Sequence, residues 1–477
     1  MTPHEPLHNN GTGGGVRLVS APARPADLLL RNVHTLDPRA NLDGLHDVVV
    51  RRGEIAEIGA AGTLAAPAGA ETVEGDGRHL FPAFVDPHVH LRTPGQEHKE
   101  DLETGTRAAA AGGYCAVIAM PNTAPVVDSA PILGALLDAA ARDARVPVGF
   151  MPAITRGLEG RELSEMAELR ALGAAGFTDD GRPVADAGVF RRALQYQRLC
   201  GGVLALHEED PALSGQGAMH EGVVSALLGV AGIPSVSEST MIARDCALAE
   251  YEQARIHIQH LSARESVAIV AAAKARGVAV TCEVSPHHLT MTDEDVRGLD
   301  PRRKMNPPLR SEEDRQALIE GLRSGVIDCI ATDHAPHARD EKEVPFERAP
   351  MGTTGLETAF AAVYTDLVVP GILPLELVVE KLTAGLGLLD LFVPGIAVGQ
   401  PANLVLVDLD AEWIVGESGY ESRSENSCFA GRTLRGRVLL TVAAGAVAYR
   451  ERSTLLTQVG AGDRPARVTS SEGQSLR

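Results

Sequence analysis

Hydrophobic and polar positions follow two different patterns along this chain. Between about residues 82 and 395, short β-branched runs alternate with Ala- and Leu-rich segments of helical period. That pattern predicts a parallel sheet with crossover helices. Eight such runs are predicted strands, the number found in a (β/α)8 barrel, and they are FVDPHVH, CAVIAM, VPVGFMP, AAGFTD, GVLALH, RIHIQH, VAVTCEV and IDCIATD.

The two ends of the chain follow the second pattern. Residues 26–81 and 396–451 contain short apolar runs separated by turn residues, which is typical of strands. We therefore predict an α/β protein in which a (β/α)8 TIM-like barrel at 82–395 carries a small β-sandwich domain built from both chain ends. Residues 1–25 and 452–477 have little periodicity and are predicted to be flexible tails.

Composition indicates a globular chain and argues against nucleic acid as a binding partner. Hydrophobic residues make up 44% of the 477 residues and charged residues 22%, so a core can form without disulfides. The formal net charge of -19 opposes nucleic-acid binding, because phosphate contacts need clustered Lys and Arg. The cysteines include no CxxC pair, and no apolar stretch reaches the roughly 18 residues that cross a bilayer. We therefore expect a cytoplasmic protein with reduced thiols and no membrane segment.

Histidines and aspartates occur where predicted strands end. The carboxyl ends of barrel strands converge on the face that holds the active site. We therefore expect the side chains at these positions to be neighbours in space. They are His88 and His90 after strand one, Asp179 and Asp180 after strand four, His207 after strand five, His260 after strand six and Asp333 after strand eight.

A metal centre is the favoured interpretation of this set. An HxH pair alone is more often structural, but His88 and His90 point to the same face of a strand. His207 and His260 each end an apolar strand, where a buried imidazole needs a partner. Imidazole and carboxylate without thiolate suit zinc or another divalent transition ion. Two ions sharing a carboxylate would use all these ligands and would support hydrolysis.

Motifs along nearly the whole chain, from about residue 26 to 450, carry a family resemblance. They are DPHVHLR, KEDLETGTRAAAAGG, MPNTAP, FTDDG, GAMHEG, HIQHLSARES, EVSPHHL, KMNPPLR and IDCIATDHAPHARDEK. The chain resembles bacterial type I dihydroorotases of the amidohydrolase superfamily. This resemblance implies reversible cyclisation of N-carbamoyl-L-aspartate to (S)-dihydroorotate in pyrimidine biosynthesis. It also implies that His88 and His90 hold one ion, and that His207 and His260 hold a second, with zinc as the expected metal.

The resemblance implies roles for the two aspartates. Asp180, the second Asp of FTDDG, matches the carboxylate that type I enzymes place where many relatives have a carboxylated lysine. No lysine lies between Lys99 and Lys274, so strand four offers none. With Asp180 as the ligand, Asp179 is expected to be a loop or capping residue. Asp333 matches the strand-eight aspartate that binds metal and transfers the proton during catalysis.

The substrate carries a carboxylate, so fixed donors are expected near the metals. Arg92 lies two residues past His90 and offers a planar fork for a carboxylate. Thr93 stands where many relatives have Asp or Glu, and its effect on Arg92 is left open. The full set of substrate contacts that the resemblance implies is Arg92, Asn122, Asn306, His337, Met351 and Gly352.

Two alternative functions stay open. An allantoinase or hydantoinase would open a related cyclic ureide and predicts a lysine on strand four. A catalytically inactive homologue would serve as a structural partner of aspartate transcarbamoylase and predicts lost ligands. The sequence lacks that lysine and retains every ligand, which favours a dihydroorotase. The number of ions and the assembly state are left open, although the resemblance implies a homo-oligomer and an association with aspartate transcarbamoylase.

Overall fold

The computed structural model describes residues 15–451. Its strands are β1 (Leu28–Asp37), β2 (Leu42–Arg51), β3 (Glu54–Ala60), β4 (Glu71–Glu74), β5 (His79–Pro82), β6 (Phe84–Val89), β7 (Tyr114–Ala119), β8 (Val148–Phe150), β9 (Phe177–Thr178), β10 (Leu204–Leu206), β11 (Met219–His220), β12 (Gly232–Ile233), β13 (Ile256–Ile258), β14 (Val280–Val284), β15 (Cys329–Ile330), β16 (Leu404–Ile414), β17 (Thr433–Ala443) and β18 (Ala446–Arg450).

Helices connect most of these strands. The α-helices are α1 (Leu102–Ala111), α2 (Ala130–Asp143), α3 (Met166–Ala171), α4 (Ala187–Cys200), α5 (Pro211–Ser214), α6 (Val223–Leu228), α7 (Val236–Glu252), α8 (Arg264–Ala275), α9 (Pro286–Thr290), α10 (Glu312–Arg323), α11 (Arg339–Lys342), α12 (Ala359–Val363) and α13 (Leu375–Thr383). Within residues 15–451, none of the helices combines the length and the apolar composition that a membrane span requires.

Eight parallel strands form the barrel, and each coincides with one of the eight predicted runs, with β7 beginning one residue earlier at Tyr114. Strands β6, β7 and β8 form one sheet, and a second sheet contains β9, β10, β13, β14 and β15. The two sheets join where Ala175 N donates to Phe150 O at 2.8 Å. The barrel closes where His90 N donates to His334 O at 2.9 Å. These hydrogen bonds confirm the predicted parallel barrel.

Strands from the two ends of the described chain form a separate 8-stranded sheet. Its order is β18-β17-β16-β5-β1-β2-β3, with β4 beside β1. The antiparallel pair β5 and β16 joins the ends, with Leu404 opposite Pro82 and Val407 opposite His79. The predicted fold class, a barrel that carries a small β unit built from both ends, is therefore confirmed. The exact domain limits at 81/82 and 395/396 stay a prediction.

Aromatic packing fixes this sheet against the barrel. Phe360 of α12 stacks on Phe84 of β6, with ring centroids 5.3 Å apart. The same ring lies 5.8 Å from Phe81 of β5. All three side chains are buried. Helix α12 therefore packs against both β6, the first barrel strand, and the chain-end sheet.

Part of the predicted flexible tail at 1–25 contacts the barrel. The flexible segment predicted there therefore extends too far along the chain. Val19 pairs antiparallel with Val148 of β8 through backbone hydrogen bonds of 3.0 and 2.8 Å. Arg17 N also donates to Gly173 O at 3.0 Å. The physical reason is that the short apolar run VRLVS satisfies backbone groups that β8 leaves unpaired and buries against the barrel. The remainder of both predicted tails, 1–14 and 452–477, lies outside the described residues.

Candidate metal centre

The predicted metal ligands converge at the carboxyl ends of the barrel strands. All of them are at most 8% exposed, and they are His88, His90, Asp180, His207, His260 and Asp333. Two overlapping groups each place their ligand atoms within 4.8 Å of one another. The first group is His88, Asp180 and His260, and the second is His88, His90 and Asp333. The structure therefore brings together the whole set that strand ends predicted, apart from Asp179.

Asp180 lies between the histidines of strands one, five and six. Its Oδ1 is 3.5 Å from His88 Nε2, 3.6 Å from His207 Nδ1 and 3.7 Å from His260 Nε2. Its Oδ2 is 3.4 Å from His90 Nε2. One carboxylate thus presents one oxygen to the His207 and His260 side of the cluster and the other to the His90 side. This is the arrangement expected of a ligand shared by two ions.

Asp333 completes the His88 and His90 side. Its Oδ1 is 3.0 Å from His90 Nε2 and 3.5 Å from His88 Nε2. Burial alone would raise the pKa of Asp333, but the hydrogen bond with His90 and the nearby histidine charges hold it below its ordinary value. The carboxylate is therefore ionised at neutral pH and can accept a proton.

Three residues of the candidate site have a strained backbone. Arg92, His260 and Asp333 have φ values of 60°, 33° and 47°, in the left-handed region that few residues other than glycine adopt. Such conformations cost roughly 1–3 kcal/mol each and cluster at active sites, where the surrounding packing holds them. The strained residues thus include the predicted ligand His260, the predicted proton acceptor Asp333 and the predicted substrate contact Arg92.

The donor set fits a divalent metal ion. His88 Nε2 is buried and has no hydrogen-bond partner among residues 15–451. An unpartnered buried imidazole nitrogen is costly, and a metal ion would satisfy it. His207 Nδ1 and His260 Nε2 lie 2.9 Å apart, so both nitrogens can face one ion. Nitrogen and carboxylate donors without thiolate suit a transition ion such as zinc.

Asn122 and Asn306 contact histidines that are predicted metal ligands. Asn122 Oδ1 is 2.8 Å from His90 Nδ1, and its amide nitrogen is 3.4 Å from Asp180 Oδ2. Asn306 Nδ2 donates to Glu209 and lies 3.3 Å from His207 Nε2. Both amides therefore orient ligands, while the substrate contacts predicted for them stay a prediction.

Arg92 supplies the positive charge beside the cluster. The residue is 8% exposed, and its Nε donates to Pro336 O at 3.1 Å. Burial lowers the pKa of Arg92 to about 10, against the opposing influence of Asp333 and Asp180. The guanidinium thus stays charged at neutral pH. The guanidinium would attract an anionic substrate group placed next to the cluster.

His337 and Met351 are joined by a hydrogen bond beside the cluster, and Gly352 follows Met351 in the chain. His337 Nε2 lies 2.8 Å from Met351 O, and burial together with the charge of Arg92 lowers the pKa of His337 to about 2. The ring is therefore neutral, donates from Nε2 and leaves Nδ1 buried without a hydrogen-bond partner within residues 15–451. Gly352 has φ +134°, and a Cβ there would lie 2.8 Å from Ala335 Cβ, so only glycine fits.

Asp179 accepts from Thr155 N at 2.9 Å, a contact typical of the loop or capping residue it was expected to be. Strand-end position did not identify every relevant residue. Glu283 of β14 was not predicted, although it is 1% exposed and lies 2.6 Å from His88 Nδ1. Its only sequence signal is a charged residue inside the apolar run VTCEV.

The fold and the site together define an enzyme of the cyclic amidohydrolase type. The family model described as Dihydro-orotase-like matches residues 77–266. A protein named dihydroorotase from Pelotomaculum thermopropionicum is 44% identical over 89% of this chain and 99% of its own length. Another, from Anaeromyxobacter sp. (strain K), is 46% identical over 89% of this chain and 98% of its own length. The chain belongs to the dihydroorotase family.

Solved structures of related enzymes share the same architecture. The L-hydantoinase from Arthrobacter aurescens superposes with a TM-score of 0.78, at 26% identity, over 88% of this chain and 96% of its own. The D-hydantoinase from Thermus sp. gives a TM-score of 0.75, also at 26% identity, over 89% of this chain and 95% of its own. The barrel with its chain-end sheet is therefore common to both groups, while the sequence is closer to the dihydroorotases.

Proposed function

We propose that this chain is a dihydroorotase, which converts N-carbamoyl-L-aspartate reversibly to (S)-dihydroorotate with release of water in pyrimidine biosynthesis. The observation that carries the proposal is the position of Asp180 between the histidines. A hydantoinase-type enzyme was expected to use a lysine there, and this chain has an aspartate. The complete ligand set also argues against an inactive structural homologue.

The metal ligands are proposed from the contacts described above. His88, His90 and Asp333 would hold one ion, and His207 and His260 would hold the second. Asp180 would give one oxygen to each. Zinc is the proposed metal, since all four histidines offer a nitrogen. Bound divalent ions of this kind supply hydroxide near neutral pH and polarise a carbonyl group.

The protein side chains supply proton transfer and orientation. Asp333 would accept the proton of the attacking water and deliver it to the ring nitrogen as the ring amide bond breaks, and the reverse sequence closes the ring. Arg92 would bind the substrate carboxylate through two parallel hydrogen bonds. The neutral ring of His337 would accept a hydrogen bond at Nδ1, the atom that has no hydrogen-bond partner in the described part of the chain. Met351 and Gly352 would place their loop against the substrate ring.

The wider setting rests on the family resemblance alone. We propose a cytoplasmic enzyme with a small-molecule substrate, assembled as a homo-oligomer and associated with aspartate transcarbamoylase. Neither nucleic acid nor membrane has a proposed role.

Substitution of Arg92 by methionine is expected to reduce kcat/KM for dihydroorotate by roughly 10- to 100-fold, the range for losing hydrogen bonds to a charged group. A higher KM should contribute to the loss, because the carboxylate that Arg92 is proposed to bind is already present in the bound substrate. Steady-state kinetics on dihydroorotate measure kcat and KM separately. Arg323→Met, on the outer face of α10 and paired with Glu320, is the matched control. An unchanged KM for dihydroorotate in Arg92→Met would show that Arg92 does not bind the substrate carboxylate.

The test of the proposed function is ring opening by the purified, metal-loaded chain on dihydroorotate, allantoin and hydantoin in parallel, with Asp333→Ala as a control. We expect turnover of dihydroorotate that the control lacks. If dihydroorotate were untouched while another ureide was opened, the assignment would be wrong. Inactivity of a folded, metal-loaded chain on all three would favour the structural homologue.

A further inference from the structure

Three hydrogen-bond donors converge on the buried carboxylate of Glu283. Oε1 lies 2.6 Å from His88 Nδ1 and 3.3 Å from the backbone nitrogen of His260. Oε2 lies 3.0 Å from His257 Nε2. Two of these partners are proposed metal ligands, one on each side of Asp180. A single carboxylate on strand β14 thus contacts both halves of the metal centre from behind.

The contact with Glu283 decides which nitrogen of His88 can bind a metal. An ionised carboxylate only accepts hydrogen bonds, so His88 must carry its proton on Nδ1. Gln259 Nε2 also approaches His88 Nδ1, but at 3.3 Å it is the longer and uncharged contact. The lone pair is then on Nε2, which faces Asp180 and Asp333 at 3.5 Å each. This is the nitrogen that has no hydrogen-bond partner within residues 15–451.

The second oxygen of Glu283 is held by a separate pair. His257 Nε2 donates to Oε2, and His257 Nδ1 lies 2.9 Å from Thr281 Oγ1, which can donate to it. His257 and Glu283 are at most 3% exposed, so water does not compete for these bonds. The carboxylate plane is therefore fixed, and Oε1 stays directed at His88. The backbone of His260, at φ 33°, is restrained by the same oxygen.

We propose that Glu283 is a positioning residue for the metal centre, which selects the Nδ1-protonated form of His88 and holds His88 and His260 in the orientation that binds metal. This role rests on the metal centre proposed above. It concerns metal retention, so it can be measured without any substrate. Carboxylates that receive the second N–H of a ligating histidine typically change metal affinity by 10- to 100-fold when removed.

Co²⁺ is the probe that tests this role. Metal-free wild-type chain, Glu283→Gln and Glu283→Ala are titrated with Co²⁺ against a chelator, and the visible spectrum of the bound ion is recorded. We expect Kd to rise about 100-fold in Glu283→Ala, with an altered spectrum, and about tenfold in Glu283→Gln, whose amide oxygen can still accept from His88. Glu357→Gln is the control, because that carboxylate accepts from the backbone of Glu421 and Ser422, outside the cluster. It should bind Co²⁺ as the wild type does.

Each outcome of the titration decides the matter. Wild-type affinity and an unchanged spectrum in Glu283→Ala would overturn the role. If that variant did not fold, the same result in Glu283→Gln would overturn it. A purely structural role predicts a lower Tm with unchanged Co²⁺ binding, and that outcome would also overturn it. A wild-type chain that bound no Co²⁺ would overturn the metal centre itself, whereas normal binding beside unaffected variants would overturn the role of Glu283 alone.

Discussion

Asp333→Asn is expected to lower kcat for dihydroorotate by roughly 10²- to 10⁴-fold, the usual contribution of a positioned proton acceptor. An amide has the shape of the carboxylate but cannot take up the proton of the attacking water. Asp333 Oδ1 lies 3.0 Å from His90 Nε2 in a buried position, so no bulk water can replace it. The measurement is kcat at saturating substrate, with metal content determined on the same samples.

The control for this variant lies at the other end of strand β15. Asp328, just before β15, is at the opposite end of the barrel and pairs with Lys274 at 2.7 Å. Residues at that face contribute to stability and not to chemistry. Asp328→Asn should therefore keep kcat within a factor of about two while Tm falls. An Asp333→Asn enzyme that kept more than a tenth of wild-type kcat with a full metal complement would show that another group transfers the proton.

Removal of metal by a chelator is expected to reduce turnover by more than roughly 10³-fold, since the ions are proposed to supply several kcal/mol of transition-state stabilisation. Added Zn²⁺ should restore activity. Mg²⁺ should not, because it prefers oxygen ligands and the cluster offers four imidazoles. Initial rates before and after metal readdition measure the effect.

Metal removal is also expected to lower thermal stability. An ion that binds only the folded chain stabilises it by about 4 kcal/mol when its free concentration is 1,000 times its Kd. Without it, His88 Nε2 is buried and makes no hydrogen bond to any residue that the structure describes. Calorimetry on the metal-free and Zn²⁺-loaded chain gives the shift in Tm. Full turnover and an unchanged Tm after verified removal of metal would contradict a metal-dependent enzyme.

Much of the barrel was predictable from the sequence, for a physical reason. Strands buried on both faces appear as continuous apolar runs, and Ala- and Leu-rich crossover helices separate them. The ends of parallel strands meet on one face, so residues as distant as His88 and Asp333 could be placed together before their distance was known. Strand position alone does not distinguish Asp179 from Asp180, and the family motif was needed to choose between them. In the structure Asp179 bonds to Thr155 and Asp180 faces the cluster.

Other features depended on tertiary contacts that no local pattern records. The contacts of Glu283 with His88, His257 and His260 form only in the folded barrel. His88 is 195 positions away in sequence. The short run around Val19 has too little periodicity to indicate that it pairs with β8. The two asparagines were expected to contact substrate, and their hydrogen bonds to histidines could not be derived from motifs.

The most direct test of the central claim is ring closure. Zn²⁺-loaded chain is incubated with N-carbamoyl-L-aspartate, and formation of dihydroorotate is followed by NMR beside the same reaction with Asp333→Asn. The account predicts that the wild-type chain forms (S)-dihydroorotate until the two compounds reach equilibrium, and that the variant forms it at least roughly 10²-fold more slowly. A folded, Zn²⁺-loaded wild-type chain that left N-carbamoyl-L-aspartate unchanged would contradict it.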